Sequence, residues 1–266
     1  MSNLLCCSNR SEVGSSHPIL EYLTKHGFEA FRPRAVLFDM DGVLYDSMPL
    51  HAVAWQESMA KFGIRMTAAD AYATEGARGI DTIRQMVKSQ QGRDISEAEA
   101  QEMYDEKSRC FHAMSEAPVM PGILELMDQI TTDGLDIGVV TGSGQRPLIN
   151  RLLRDFGQYL TAERIVTAYD VNQGKPHPDP YLKGLQKVGD LHPWEAIVVE
   201  NAPLGIRAGV TARIFTIAVN TGPLPDDALT SEGANFIFHN IHGLLNDWKL
   251  NYKKHETEGS LGKAIS

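Results

Sequence analysis

Short apolar stretches alternate with amphipathic ones along most of the chain. The apolar stretches predict strands within RAVLFD, LDIGVVTGS, ERIVTA, AIVVEN, RIFTIAVN and NFIFH. The amphipathic stretches between them, such as ILELMDQI, RPLINRLLRDF and YLKGLQKV, have the spacing of helices. Strands that are apolar throughout and alternate with helices are typical of a parallel sheet buried on both faces. The pattern therefore predicts an α/β fold.

The pattern changes between about Met48 and Glu116, where HAVAWQESMAKF, GIDTIRQMVKSQ and SEAEAQEMYDEKSRCFHAM all read as helices. We predict an all-helical insert here. Near the N-terminus, HPILEYLTKHGF predicts a short amphipathic helix with Ile19, Leu20, Leu23 and Phe28 on or near one side. The predicted organisation is an extension (1–33), a core (34–47 and 117–248), a helical insert (48–116) and a polar tail (249–266).

Composition and charge exclude several classes of protein. The 266 residues include 42% hydrophobic and 22% charged residues, as in ordinary globular proteins. The net charge of −9 argues against a protein that binds nucleic acid through its phosphates. No apolar run approaches the roughly 20 residues that span a bilayer, so we expect no membrane association.

The cysteines indicate a reducing compartment. There are only three, Cys6, Cys7 and Cys110, an odd number with an adjacent pair, which cannot form a disulfide framework. The N-terminus has no basic start and only a short apolar run, so we expect that it is not a secretory signal. We expect a cytoplasmic protein. Lipidation at Cys6 or Cys7 is the alternative.

Two acidic residues follow the first predicted strand, in Asp39-Met40-Asp41-Gly42. Residues two apart in extended chain are about 6.6 Å apart and point to the same side. Paired carboxylates repel unless a cation lies between them or one is protonated, and Mg²⁺ prefers such hard oxygen ligands. The alternative is an acidic turn. An EF-hand is excluded, because an EF-hand loop needs glycine at its sixth position and here Gly42 is at the fourth.

Other strands also end in polar or small residues, at Thr141-Gly142-Ser143-Gly144, in the loop with Lys175, and at Glu200-Asn201. Ligands bind beyond the carboxyl ends of parallel strands, so these residues are candidates for one shared site. Small residues leave backbone N–H groups free to hold an anion's oxygens. Gly174-Lys175 is not a Walker loop, because Pro176 occupies the Ser/Thr position.

FDMDGVLYDS, VVTGS, GKPHPDP and VVENAPLGI, in this order, resemble the four motifs of the haloacid dehalogenase-like hydrolases. The helical insert resembles the cap of the β-phosphoglucomutase-like subgroup. The resemblance covers about residues 34–245. It implies a Rossmann-like core, a mobile helical cap and Mg²⁺-dependent phosphoryl transfer to a small phosphorylated substrate through an aspartyl-phosphate.

The resemblance also implies roles for individual residues. Asp39 is the nucleophile. Asp41 is the acid/base and binds Mg²⁺ through its backbone carbonyl; it also argues against dehalogenase chemistry, which lacks this second aspartate. Thr141 and Lys175 hold the transferring phosphoryl group. The substrate-binding candidates are Ser143, Gly142, His51 and Arg78; His51 and Trp55 match both mutases and phosphatases of the subgroup by position.

The sequence departs from the family pattern at Asn201, where an aspartate commonly ligates the metal. The amide still offers a carbonyl oxygen, but the site loses one negative charge. Glu200 or the cap residue Glu75 is a candidate to compensate. A cap-loop Glu-Gly paired with ENAPLG resembles a branch that includes inorganic pyrophosphatases, in which that Glu and Asn both bind Mg²⁺. An exposed loop acid is the alternative reading of Glu75.

Three functions fit the sequence. The first is a phosphohydrolase for inorganic pyrophosphate or a sugar phosphate. The second is β-phosphoglucomutase, which needs the same motifs and a cap that excludes water. The third is a non-catalytic phosphate-binding protein that has lost metal affinity at Asn201. The intact set of Asp39, Asp41, Thr141 and Lys175 favours an enzyme over this third function.

Overall fold

The computed structural model describes residues 18–143 and 146–251. Cys6, Cys7, Gly144 and the end of the predicted tail lie outside this part of the chain. Within it, six strands form one parallel sheet, which confirms the predicted α/β class. In chain order the strands are β1 (Ala35–Phe38), β2 (Asp136–Val140), β3 (Ile165–Val166), β4 (Ala196–Glu200), β5 (Phe215–Val219) and β6 (Phe236–Phe238).

The strands lie in the order β3-β2-β1-β4-β5-β6, with β1 in the interior. Val36 and Phe38 of β1 pack into one hydrophobic cluster, and Ala35 and Leu37 pack into a second. Both faces of the sheet are therefore buried, which explains why the strands are apolar throughout. From β1 the chain adds β2 and β3 on one side, and it then returns to add β4, β5 and β6 on the other side. The crevice at such a switch point, between β1 and β4, is where doubly wound folds bind ligands.

The helices are α1 (Pro18–His26), α2 (Met48–Ala60), α3 (Ala68–Ala73), α4 (Gly79–Gln91), α5 (Glu97–His112), α6 (Ile123–Thr132), α7 (Arg146–Phe156), α8 (Asp179–Lys187), α9 (Pro203–Thr211), α10 (Asp226–Thr230) and α11 (Ile241–Asn251). No helix in the described ranges is long and apolar enough to cross a membrane. Helices α2 to α5 occupy the segment predicted to be a helical cap. They pack around their own apolar cluster, which includes Trp55, Met59, Ile83 and Met103.

Residues 18–33 pack against the core. Ile19, Tyr22 and Phe31 are buried in the main core cluster, and the Tyr22 hydroxyl donates to the backbone oxygen of Arg213 at 2.9 Å. Leu20, expected on the apolar side of this helix, is instead 58% exposed. The buried face of α1 therefore consists of the predicted Ile19 and of Tyr22, an aromatic residue that the prediction did not include.

Candidate active site

Asp39 lies at the centre of the carboxyl edge of the sheet, directly after β1. Its backbone N–H donates to Val199 of β4 at 3.0 Å, so the register of β1 on β4 brings Asp39 beside Glu200. The Lys175 ammonium donates to Asp39 Oδ1 at 2.5 Å, to Glu200 Oε1 at 2.7 Å and to the backbone oxygen of Val140 at 3.0 Å. Three separate elements therefore place one cation between two carboxylates.

These three charged groups are all buried. Burial alone would lower the pKa of Lys175, but the Asp39 and Glu200 carboxylates outweigh it and raise that pKa above its usual value. Burial and the Glu200 charge raise the pKa of Asp39, against the opposing effect of the Lys175 ammonium. Lys175 thus remains a fixed positive charge beside the carboxylate predicted to be the nucleophile.

Glu200 is fully occupied by hydrogen-bond donors. Oε1 accepts from the Tyr181 hydroxyl at 2.8 Å as well as from Lys175, and Oε2 accepts from the backbone N–H groups of Asn201 and Ala202 at 3.0 and 3.2 Å. A Cβ at Gly205 would lie 1.8 Å from Oε1, so only glycine leaves room for this carboxylate. In this arrangement Glu200 holds Lys175 in place rather than pointing into the cavity as a metal ligand.

Asn201 presents an unsatisfied oxygen at the same edge. The residue is buried, and its Oδ1 has no hydrogen-bond partner in the described part of the chain. Its Nδ2 lies against Gly42, which has a φ of +81°; a Cβ there would be 1.9 Å from Nδ2. A buried carbonyl oxygen without a donor is costly unless something else coordinates it, and a divalent cation would satisfy it.

The donor set around Asn201 suits a hard cation. The carboxylate of Asp39, the backbone carbonyl of Asp41 and the amide oxygen of Asn201 all carry oxygen atoms of the kind that a hard cation takes as ligands. Among residues 18–143 and 146–251, no group of three or more Asp, Glu, His or Cys side chains is arranged to hold a metal. A cation here therefore depends on the neutral oxygens as well as the carboxylates.

A chain of hydrogen bonds connects Asp41 to the cap. Asp41 Oδ1 accepts from Ser47 Oγ at 2.6 Å and lies 3.2 Å from His51 Nε2, while Lys107 Nζ of α5 lies 2.8 Å from His51 Nδ1. The carboxylate can only accept and the ammonium can only donate, so the neutral imidazole carries its hydrogen on Nε2. The His51 ring stacks on Phe111, with ring centroids 4.1 Å apart. The orientation of the imidazole is therefore fixed from both ends and one face.

The surroundings of these groups shift their pKa values in opposite directions. Burial would raise the pKa of Asp41, but His51 and Ser47 outweigh it and lower that pKa. Burial lowers the pKa of Lys107, against the attraction of Glu75 and Asp41. The donors on Oδ1 thus favour the carboxylate form of Asp41.

The cap loop with Glu75 lies directly over the core site. A Cβ at Gly76 would be 3.4 Å from Lys175 Cδ, so the loop backbone packs against the buried lysine. Burial raises the pKa of Glu75, and the Asp41 charge reinforces this effect. Glu75 is half-buried and lines the same cavity as Asp41, so it is not an exposed loop acid.

The remaining predicted residues border one cavity of about 540 Å³ between cap and core. Gly142, Ser143, Arg78 and Trp55 contribute to its lining, together with Asp39, Asp41, His51 and Glu75. Thr141 is buried, and its Oγ1 accepts from the Ser143 N–H at 3.0 Å. Arg78 is 66% exposed and is paired with Asp81 at 2.8 Å.

Two residues that contact this site were not predicted from the sequence. Tyr181 lies six positions after Lys175, directly after the motif GKPHPDP, and donates to Glu200. Lys107 lies in the polar helix α5, where a charged residue is normally solvated. The spacing of Lys107 from Ala100 and Met103, which places all three on the buried face of α5, could have indicated that the lysine is buried.

Comparison with known proteins gives the family. Residues 36–219 match the model of the haloacid dehalogenase-like hydrolases, so the chain belongs to this family. It is 30% identical to hexitol phosphatase A of Escherichia coli over 210 residues, covering 79% of this chain and 92% of that protein. It is 27% identical to β-phosphoglucomutase of Bacillus subtilis over 197 residues, covering 71% and 84% of the two chains.

A solved structure supports the same assignment. The chain is 46% identical to a proposed β-phosphoglucomutase from Bacteroides vulgatus, with a TM-score of 0.83 over 87% of this chain and 94% of that one. The predicted family and the β-phosphoglucomutase-like fold are therefore confirmed. The chain is an enzyme of the phosphatase and phosphotransferase class within this family.

Proposed function

We propose that this enzyme is a Mg²⁺-dependent phosphohydrolase that acts through an aspartyl-phosphate on a small phosphorylated substrate. The observation that carries the proposal is the 2.5 Å contact between Lys175 Nζ and Asp39 Oδ1 at the strand end, beside Asp41. A carboxylate fixed next to a buried cation can attack a phosphoryl group whose charge the same cation neutralises.

In the first half-reaction, Asp39 attacks the phosphorus. Lys175 binds Oδ1, and Oδ2 forms the new bond to phosphorus while the bond to the leaving oxygen breaks. Asp41 donates a proton to that leaving oxygen, so this step uses the protonated fraction of Asp41, which its lowered pKa keeps small. The donors from Ser47 and His51 both lie on Asp41 Oδ1, which leaves the other oxygen for this proton.

In the second half-reaction, a water molecule attacks the phosphorus of the aspartyl-phosphate. Asp41, now a carboxylate, accepts a proton from the water as the new P–O bond forms. The bond between phosphorus and Asp39 breaks, which restores the Asp39 carboxylate and releases phosphate. The low pKa that His51 and Ser47 impose on Asp41 favours the carboxylate needed for this step.

Asp39, the Asp41 backbone carbonyl and Asn201 are the residues that would hold Mg²⁺. When bound, the cation supplies positive charge to the transferring phosphoryl oxygens. The unpartnered Oδ1 of Asn201 supports this role, because a ligand at that position would remove its desolvation penalty.

Inorganic pyrophosphate and a sugar phosphate are the leading substrates. The position of Glu75 close to Asp41 favours pyrophosphate, since a cap carboxylate near the metal site would favour the closed cap when metal is bound. The cavity of about 540 Å³ and the similarity to hexitol phosphatase A favour a phosphorylated polyol or sugar.

β-Phosphoglucomutase activity is the second candidate. The similarity to the Bacteroides vulgatus structure favours it, as does the packing of the Gly76 loop against Lys175, because a mutase needs its cap close over the core. A mutase would transfer the phosphoryl group from Asp39 to a second sugar hydroxyl instead of to water.

A phosphate-release screen with Mg²⁺ tests the proposal, using pyrophosphate, hexose phosphates, polyol phosphates and nucleotides. We expect Mg²⁺-dependent release from pyrophosphate or a sugar phosphate, abolished by chelation. A β-glucose-1-phosphate isomerisation assay is run in parallel. Isomerisation without phosphate release would favour the mutase, and inactivity in both assays would contradict the proposal.

A further inference from the structure

The segment after β5, residues 220–225, contacts the catalytic loop and the cap. On one side, Thr221 Oγ1 donates to the backbone oxygen of Gly42 at 2.9 Å, one residue after Asp41. On the other side, Gly222 packs against the ring of Tyr72 in α3. This segment therefore bridges the loop that carries both aspartates and the part of the cap that covers it.

The segment is held firmly to the core. Asn220 Nδ2 donates to the backbone oxygen of Leu224 at 2.9 Å and to Asp226 Oδ1 at 2.8 Å, and its N–H donates to Phe238 at 2.7 Å. Leu224 packs against the apolar cluster of the cap and against a second cluster in the core. A side chain that rests on this segment is therefore fixed relative to the sheet.

The contact between Gly222 and Tyr72 has no room for a larger residue. A Cβ at Gly222 would lie 2.3 Å from Cε1 and 2.4 Å from Cδ1 of the Tyr72 ring. The φ angle of Gly222 lies outside the left-handed region, so the ring, and not the backbone, requires glycine here. Tyr72 is only 8% exposed and belongs to the cap cluster, which limits how far its ring can withdraw.

Helix α3 leads directly into the loop over the catalytic centre. It ends at Ala73, and Thr74 Oγ1 donates back to the Asp70 oxygen at 2.8 Å. Glu75 follows, and Gly76 lies against Lys175. Because only four positions separate Tyr72 from Gly76, a shift of the tyrosine displaces the loop.

We propose that Gly222 and Tyr72 form a seat that positions the Glu75–Arg78 loop over the catalytic centre. Both are positioning residues, because they act through this loop and touch none of the reacting groups. The catalytic consequence of the seat rests on the proposed phosphohydrolase function. The seat itself concerns only how the cap loop is held in the closed cap, so it can be tested without measuring turnover.

Gly222→Ala tests the seat. We expect hydrogen exchange of backbone amides in residues 74–79 to become faster, while exchange in β4 stays unchanged. We also expect kcat/KM for the substrate found in the screen to fall about 10-fold or more, since a displacement of about 1 Å can reduce a rate by as much as 10²-fold. Gly243→Ala is the matched control, because a Cβ there meets nothing closer than 3.5 Å.

A double-mutant cycle separates the seat from a general structural effect. Tyr72→Leu removes the ring and should also speed exchange in residues 74–79, whereas Tyr72→Phe should retain the wild-type rate. Adding Gly222→Ala to Tyr72→Leu should change little, because the clash is then absent. If Gly222→Ala fails to fold, Tyr72→Leu and Tyr72→Phe carry the test.

Unchanged exchange in residues 74–79 would overturn the seat, and so would faster exchange spread equally over cap and core. If exchange responds as expected but the wild-type protein releases phosphate from none of the substrates, the seat stands and the proposed phosphohydrolase function fails.

Discussion

Lys107, in the cap helix α5, lies 2.8 Å from Nδ1 of His51, and His51 in turn contacts the catalytic-loop residue Asp41. Lys107 of the cap thereby determines which nitrogen of His51 carries the hydrogen that is donated to Asp41, the proposed acid/base. The Lys107 ammonium lies 5.2 Å from the ring centroids of Trp55 and Phe111, which hold it in a buried position. The closed cap is therefore part of the machinery around Asp41 as well as its cover.

We expect Lys107→Met to lower kcat by about 10- to 100-fold, part of the 10²–10⁴ that a positioned acid/base supplies. Methionine retains the apolar stem but provides no donor to hold the His51 tautomer. The initial rate of phosphate release at saturating substrate measures the effect on kcat. Lys88→Met, at an exposed cap lysine paired with Asp94, should be nearly silent. A Lys107→Met enzyme with wild-type kcat would show that His51 needs no partner on Nδ1.

Asn201→Asp should tighten Mg²⁺ binding. The substitution adds the carboxylate that the family commonly has at this position, at an oxygen that is buried and unpartnered here. It also adds repulsion to Asp39 and Asp41 when metal is absent. The melting temperature should therefore fall without Mg²⁺, and the rise on adding Mg²⁺ should exceed that of the wild type. An equal rise in both proteins would exclude Asn201 as a ligand.

Glu75→Ala separates pyrophosphate from sugar phosphates as the substrate. If Glu75 contributes to the metal site, the Mg²⁺ concentration for half-maximal activity should rise about 10-fold or more, and pyrophosphate hydrolysis should fall sharply. Glu102→Ala, at an exposed position of the cap helix α5, is the control. Unchanged Mg²⁺ dependence would make Glu75 a carboxylate without a metal role, and a sugar phosphatase or mutase would then be favoured.

Tyr181→Phe should lower the free energy of unfolding by about 0.5–1.5 kcal/mol, the usual net contribution of a hydrogen bond. The hydroxyl is buried and donates to Glu200 at 2.8 Å, so its removal takes one donor from the carboxylate that holds Lys175. Urea titration measures the change. Tyr169→Phe, at a tyrosine that is 86% exposed, should stay close to wild type. Equal changes in both variants would contradict this role for Tyr181.

The strands were predictable from the sequence because burial on both faces makes them apolar throughout. The polar residues at their ends, Asp39, Thr141 and Glu200, were visible for the same reason, since each interrupts an apolar run. The strand order was not predictable, because it depends on contacts between segments distant in sequence. The partners of Glu200 were hidden as well: Lys175 and Tyr181 are 25 and 19 positions away along the chain.

Buried residues with a polar group were the hardest to predict, because their type usually indicates a position at the surface. Lys107 reads as a solvated lysine in a charged helix, and only its apolar neighbours on the same face indicate otherwise. Tyr22 replaces Leu20 as the anchor of α1 because its hydroxyl finds a backbone acceptor in the core. In both cases a polar side-chain atom is buried because it hydrogen-bonds to a residue far away in the sequence, and local sequence patterns do not show such a partner.

The central claim is that Asp39 forms a covalent phosphoenzyme, and acid-quenched labelling tests it most directly. Wild-type protein incubated with ³²P-labelled substrate and Mg²⁺ should carry acid-stable, base-labile label on the peptide that contains Asp39. Asp39→Asn, confirmed as folded by circular dichroism, should carry no label and lose on the order of 10⁴–10⁶ in rate. Label that persists in the folded variant, or a variant that retains most of its activity, would contradict Asp39 as the nucleophile.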